Sequence, residues 1–163
     1  MNGRRVTASL RYIAVVIAAH IAAGRLDAQD STGRMDTSYA RAVTHGDVYT
    51  TPTGVRLTTL VDARALGGPE TEMVEIVIPP GRGAPHRHGA VEIIYVLQGE
   101  LTHIVNDTPY VLRAGMVGIV RPSDTVVHRV EGSAPVRVLV IWPGAGELKR
   151  VVSSPAFTKV TSP

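Results

Sequence analysis

Two histidines and a glutamate stand close together in residues 86–100, which read HRHGAVEIIYVLQGE. Side chains two residues apart in an extended segment point to the same side, so His86 and His88 can direct both imidazoles at one point. Glu92 has the same parity, although the intervening glycine is expected to bend the chain. Neutral imidazoles and a carboxylate in partly dry surroundings are typical ligands of a divalent metal. The spacing therefore predicts a metal site, with the apolar run 93–97 beside it.

A fourth ligand has to come from another part of the fold. His128, inside the apolar segment 125–130, is the natural candidate among the six histidines of the chain. Cysteine is absent from the sequence, which excludes thiolate ligands, disulfides and cysteine nucleophiles. The alternative interpretation is that His86 and His88 are surface-loop residues and that His128 is a core histidine with ordinary hydrogen bonds.

The segments around these residues have the length and composition of β-strands. Short runs rich in Val, Ile, Leu and Thr alternate with turn-forming Gly, Pro and Asn-Asp positions, and no long window has helical periodicity. This spacing suits an all-β sandwich or barrel. The predicted strands are residues 55–61, 72–78, 91–97, 100–105, 109–112, 117–121, 125–130 and 136–142.

The positions of the candidate ligands resemble the two sequence motifs of the cupin superfamily. The first motif is His-x-His, three or four residues, Glu, six residues and Gly, and it is matched by His86, His88, Glu92 and Gly99. The second motif leads from Gly through Pro to a final His, and it is matched by Gly115, Pro122 and His128.

The resemblance implies an all-β fold, the cupin-type double-stranded β-helix or jelly-roll barrel, over residues 54–145. It also implies that the four candidate ligands, His86, His88, Glu92 and His128, bind one divalent metal ion inside the barrel. Fe(II) or Mn(II) is the expected cofactor. An octahedral ion held by four side chains keeps two positions for water, substrate or dioxygen.

Two residues are predicted to take part in catalysis. His103 shares a strand face with Leu101 and Val105, and if that face is inward its imidazole could act as a general base. A shift of one residue in register would turn it outward. Glu92 could leave the metal and act as a base. Tyr110 and Trp142 are expected to be packing residues.

The ends of the chain are predicted to lie outside the barrel. Residues 1–28 have the features of a signal peptide, because Arg4 and Arg5 precede an apolar stretch of about a dozen residues and a small-residue exit. An uncleaved N-terminal anchor is the alternative. Residues 29–53 are expected to form an arm or linker, and residues 146–163 a C-terminal tail. The expected location is periplasmic or secreted.

Charge argues against a nucleic-acid partner. The chain carries 17 basic and 14 acidic residues, and 13 of each remain beyond residue 28, so the excess of positive charge belongs to the signal segment. We expect no membrane contact once that segment is removed. A homodimer is expected from the resemblance, since cupins often pair through N-terminal strands.

The expected function is that of an exported metal-dependent oxidoreductase of dioxygenase type, acting on a small organic molecule, as in the quercetinase-like cupins. Two alternatives remain open. One is a cupin isomerase or lyase that acts on a sugar acid, and the other is a cupin that binds a sugar or metabolite without catalysis.

Overall fold

The structure is a computed structural model that describes residues 39–40 and 42–160. The predicted signal peptide and residues 29–38 of the predicted arm lie outside the described residues, so cleavage and export stay predictions. In the part of the chain that the structure describes, no helix is long and apolar enough to span a membrane.

The described residues form eleven β-strands and two short helices. The strands are β1 (Val48–Thr50), β2 (Arg56–Val61), β3 (Thr71–Ile78), β4 (Gly81–Arg82), β5 (Glu92–Gln98), β6 (Glu100–Val105), β7 (Thr108–Arg113), β8 (Val117–Val120), β9 (Val126–Val130), β10 (Val136–Pro143) and β11 (Thr158–Lys159). The helices are α1 (Ala63–Leu66) and α2 (Glu147–Val152).

The strands pair into two antiparallel sheets. The large sheet has the order β11-β1-β2-β3-β10-β5-β8, and the small sheet has the order β4-β9-β6-β7. This is a jelly-roll arrangement, as predicted. All eight predicted strands are present, with ends shifted by at most one residue. The two sheets face each other, so side chains from both inner faces can meet between them.

The core lies between the inner faces of the two sheets. The large sheet contributes alternate residues of β5 and β10, among them Ile94, Val96, Val138 and Trp142, which are almost fully buried. Leu101 of the small sheet packs in the same cluster. Side chains of this size each contribute about 1.5–3 kcal/mol when fully buried, so this core fixes the two sheets relative to each other.

Two tight turns set the register of the strands around the site. Asn106 and Asp107, between β6 and β7, both have positive φ angles, 49° and 65°, which is the backbone of a type I′ hairpin. Gly99, between β5 and β6, has a φ of 87° and faces Val136 so closely that a Cβ atom would lie 3.0 Å from its side chain. The turn into β6 therefore requires glycine.

Both regions that were predicted to flank the barrel contribute strands to it. β1, from the predicted arm, pairs with β2, and β11, from the predicted tail, pairs with β1. The helix α2 lies in the same tail. The sequence pattern missed these elements because they are two to six residues long, which is too short for a hydrophobic period to appear.

Candidate metal centre

Two strands and one loop of the barrel bring the predicted ligands together. Glu92 is the first residue of β5 in the large sheet, and His128 lies on β9 in the small sheet. His86 and His88 lie in the loop between β4 and β5. A backbone bridge between His86 and Val126 ties this loop to β9.

Three of the predicted ligands meet directly. One potential ligand atom from each of His86, His88 and Glu92 lies within 4.8 Å of the other two. The Nε2 atom of His88 contacts the Oε2 atom of Glu92, and both side chains are buried. The rings of His86 and His88 stand edge to face with their centroids 5.0 Å apart. These three residues form a possible metal site.

His128 lies beside these three residues but outside that 4.8 Å set. Its ring centroid is 5.5 Å from that of His86, and its Nε2 atom is buried without a hydrogen-bond partner. His103 stands opposite His128 in the β6–β9 ladder, and the two rings stack with centroids 5.3 Å apart. The structure therefore places His103 on the inner face, which is one of the two orientations that the sequence left open.

The Nδ1 atoms of His86 and His88 are both occupied, which leaves their Nε2 atoms for another partner. Nδ1 of His86 lies 3.0 Å from the carbonyl oxygen of Ala84, and Nδ1 of His88 lies 3.0 Å from Oε1 of Glu147. Both partners can only accept, so each Nδ1 must carry the proton. Each neutral ring then offers an unprotonated Nε2, the tautomer that a metal ligand needs.

The buried polar atoms around this point fit a metal ion better than they fit one another. Nε2 of His128 has no hydrogen-bond partner, and the contact between His88 Nε2 and Glu92 Oε2 lacks hydrogen-bond geometry. Buried polar groups without partners are uncommon in folded proteins and call for an explanation. An ion among these atoms would satisfy all three. The assignment of the four residues as ligands stays a prediction.

Glu147, in the first turn of α2, is a residue of the site that the sequence patterns did not reveal. Its carboxylate accepts hydrogen bonds from Nδ1 of His88 and from the backbone N–H of Gly89, at 3.0 and 2.9 Å. The side chain of Arg150 also donates to it, with Nε at 2.9 Å. A carboxylate bonded to the distal nitrogen of a ligand histidine fixes the orientation of the ring.

A second buried carboxylate holds α2 in place. The two carboxylate oxygens of Glu72, on β3, accept the backbone N–H groups of Gly146 and Leu148, at 3.0 and 2.7 Å. These are orphan donors at the start of α2, and a carboxylate there satisfies them and complements the helix dipole. Glu72 therefore fixes the helix that carries Glu147.

A slot on one side of the barrel leads to His103. It lies between β7 and β8, which are the edge strands of different sheets and do not pair. Its volume is about 310 Å³. His103 is 2% exposed, and neither of its ring nitrogens has a hydrogen-bond partner. Tyr110 was expected to be a packing residue, but its side chain is half exposed in this slot, whereas Trp142 is in the core as predicted.

Comparison with known families gives the fold a name. The family model of the cupin domain matches residues 74–142, which include all four candidate ligands and His103. Residues 74–142 form a cupin domain. No curated protein sequence matches the chain.

Solved structures with the cupin fold agree with this assignment. Ectoine synthase from P. lautus is 16% identical, with a TM-score of 0.55, covering 68% of this chain and 79% of that one. KdgF from Halomonas sp. is 16% identical, with a TM-score of 0.53, covering 63% and 91%. A predicted oxalate decarboxylase from Thermotoga maritima is 19% identical, with a TM-score of 0.52, covering 67% and 99%. These likenesses show the fold.

Burial and mutual repulsion set the charge of the cupin site. Burial lowers the pKa of His128 to about 4, and it also lowers the pKa of His86 and His103. Burial opposes protonation of His88 too, but the carboxylates of Glu92 and Glu147 raise its pKa overall. In the metal-free cupin, protonation is therefore favoured at His88 and disfavoured at His86, His103 and His128.

Acid is expected to destabilise the metal-free cupin well above the pH at which its carboxylates titrate. The pKa of a histidine in the unfolded chain is near 6.5. Between about pH 6.5 and pH 4, His128 is therefore protonated in the unfolded chain but neutral in the folded protein. Stability is then lost as the pH falls through this window, by up to about 3 kcal/mol from His128. His86 and His103 act in the same direction, whereas His88 opposes it.

Urea unfolding of chelator-treated protein at several pH values between about 4.5 and 7 checks this expectation. The matched variant His128→Gln keeps a polar, neutral side chain and should show a shallower loss of stability in acid. Equal pH dependence in the two proteins would contradict the buried, neutral state of His128.

Proposed function

We propose that this cupin is a metal-dependent enzyme of dioxygenase type that acts on a small organic molecule. The observation that carries the proposal is the meeting of His86, His88 and Glu92, with His128 beside them, next to a buried histidine that faces a slot. A site that only binds a ligand has no need of a second, unpartnered histidine beside a cluster of metal-ligand type.

The side chains of the site are proposed to have two roles, metal binding and proton transfer. His86, His88, Glu92 and His128 would hold the ion, and Fe(II) or Mn(II) suits their nitrogen and oxygen donors. A bound ion would supply Lewis-acid and redox chemistry at its open positions. His103 is neutral at neutral pH because burial lowers its pKa, so its imidazole can take a proton from a substrate hydroxyl. Glu92 is the second candidate base, should its carboxylate leave the ion.

Export of the mature protein and its assembly as a homodimer belong to the same proposal. They rest on the basic and apolar N-terminal sequence and on the cupin resemblance. On protein secreted from a bacterial host, intact-mass spectrometry would identify the mature N-terminus, and size-exclusion chromatography with light scattering would measure the oligomeric state.

Metal analysis and oxygen uptake test the proposal together. Protein loaded anaerobically with Fe(II) or Mn(II) should retain close to one ion per chain, and His86→Ala should lose it. His45→Ala is the matched control, since His45 is exposed and remote in sequence from the cluster. Oxygen consumption would then be followed over enols, flavonols and sugar acids. Oxygen consumption with an enol or flavonol would support the proposal. Bound metal without oxygen consumption for any compound tested would favour a non-catalytic binder.

A further inference from the structure

The slot between β7 and β8 has an apolar wall and a single buried polar group at its floor. The wall is formed by Val105, Leu112, Val117 and Ile119, and Tyr110 stands at the rim. His103 is at the floor. Lysine, arginine, aspartate and glutamate are all absent from the residues that line the slot. A highly charged molecule would therefore find no counter-charge there.

The slot is an opening in the barrel wall rather than a surface groove. Tyr110 pairs with His103 across the β6–β7 ladder, so both side chains lie on the inner face of the small sheet. Tyr110 is nevertheless 51% exposed, because the large sheet ends at β8 and leaves this part of the inner face uncovered. The inner face is thus accessible from the side.

Gly118, on β8, packs closely against the ring of His103. A Cβ atom at this position would lie 2.8 Å from Leu112, 2.9 Å from Ile94 and 3.0 Å from the ring of His103. Any larger residue would press against the imidazole from β8. The lack of a side chain therefore gives the His103 ring its place beside the edge strand.

The two unpartnered nitrogens of His103 indicate what the slot binds. The backbone of Ile119 lies near the ring without making a hydrogen bond of good geometry, so a ligand hydroxyl or carbonyl that reaches a ring nitrogen would supply the missing bond. The apolar wall would cover the rest of the ligand. We propose that the slot binds a small, uncharged and mainly apolar molecule, whose one hydroxyl or carbonyl group hydrogen-bonds to His103. The slot is a substrate site only if the proposed function is correct, so this inference rests on that proposal. It disfavours sugar acids as substrates, because they are charged.

Binding of 2-naphthol to the full chain tests this directly, with glucuronate as the charged comparison. Isothermal titration is carried out on chelator-treated and on Mn(II)-loaded protein. We expect 2-naphthol to bind in both states and at least about tenfold more tightly than glucuronate. Equal affinity for the two probes, or preference for glucuronate, would overturn the inference.

Two valines supply a matched pair of variants. Val117, on β8, lines the slot and is 50% exposed. Val111, on β7, is 42% exposed and lies on the face of that strand opposite to the slot residues Tyr110 and Leu112. Val117→Asp should weaken 2-naphthol binding at least about tenfold, because it places a charge against the apolar wall. Val111→Asp should leave the affinity within about twofold. Equal effects of the two substitutions would place the probe elsewhere and contradict the slot.

His103→Phe identifies the polar contact. It should reduce the preference for 2-naphthol over naphthalene, because the hydrogen bond is lost while the apolar wall remains. An unchanged preference would overturn the role given to His103. These results are separate from metal loading and oxygen uptake, so the slot can fail while the enzyme proposal stands. Conversely, the slot proposal would stand if 2-naphthol bound to metal-free protein, even if the four predicted residues proved not to be metal ligands.

Discussion

Glu92→Gln is expected to lower the affinity of the protein for Mn(II) by at least about 100-fold. Glu92 is the one carboxylate among the four predicted ligands, and it is 2% exposed. Its negative charge is therefore poorly screened by water and would contribute strongly to holding a divalent cation. Glutamine keeps the shape of the side chain but offers only a neutral carbonyl oxygen.

Isothermal titration with Mn(II), on protein first stripped with a chelator, measures this effect. Glu100→Gln is the control, because Glu100 is an exposed residue that pairs with Arg113 on the surface of the small sheet. That variant should bind Mn(II) as the parent protein does. If Glu92→Gln and Glu100→Gln bound Mn(II) equally well, Glu92 would not be a ligand.

The second large effect is expected at Glu147, which does not itself reach the predicted ion. Glu147→Gln should weaken Mn(II) binding by about 10–100-fold, the usual consequence of removing a carboxylate behind a ligand histidine. The amide can still contact Nδ1 of His88, but it no longer favours the Nδ1–H tautomer by charge. It also loses the pairing with Arg150 that holds α2 to the loop.

The pH dependence of binding separates this role from a general loss of structure. Glu147 helps to raise the pKa of His88, so a proton competes with the ion for this ring. Glu147→Gln relieves that competition, and its deficit in affinity should shrink as the pH falls below neutrality. A deficit that is constant with pH, together with a lowered melting temperature, would indicate that the substitution only loosens α2.

The strands and the clustering of His86, His88 and Glu92 could be predicted because both depend on residues that are close together in the sequence. His86, His88 and Glu92 lie within seven residues, and an extended backbone turns such spacing directly into a shared direction. Parity along β6 put His103 on the same face as Leu101 and Val105 but did not say whether that face is inward. The β6–β9 register decides it by placing His103 opposite His128. Turn chemistry at Gly99 and Asn106-Asp107 fixed the boundaries between these strands.

The role of α2 could not be predicted, because it depends on contacts between distant residues. Glu147 is 59 residues from His88, and Glu72 is 76 residues from Leu148. Neither glutamate belongs to a local motif, and a helix of six residues has no detectable hydrophobic period. From the sequence alone, a charged residue in a short C-terminal segment is expected to be exposed. In the folded barrel, the carboxylates of Glu147 and Glu72 are both buried.

The slot also arises from the assembly of the sheets rather than from any one segment. Tyr110 and Val117 sit on strands that are neighbours in sequence but belong to different sheets. A sequence pattern assigns each of them to an inner or outer face. It gives no information on where the large sheet ends, and it is this edge at β8 that leaves the slot open beside the buried His103.

The structure of the protein crystallised with Mn(II), with the ion located by its anomalous scattering, tests the central claim most directly. We predict one ion per chain, within about 2.3 Å of Nε2 of His86, His88 and His128 and of a carboxylate oxygen of Glu92. Absence of an ion from this point, or an ion that His128 does not contact, would contradict the four-ligand centre.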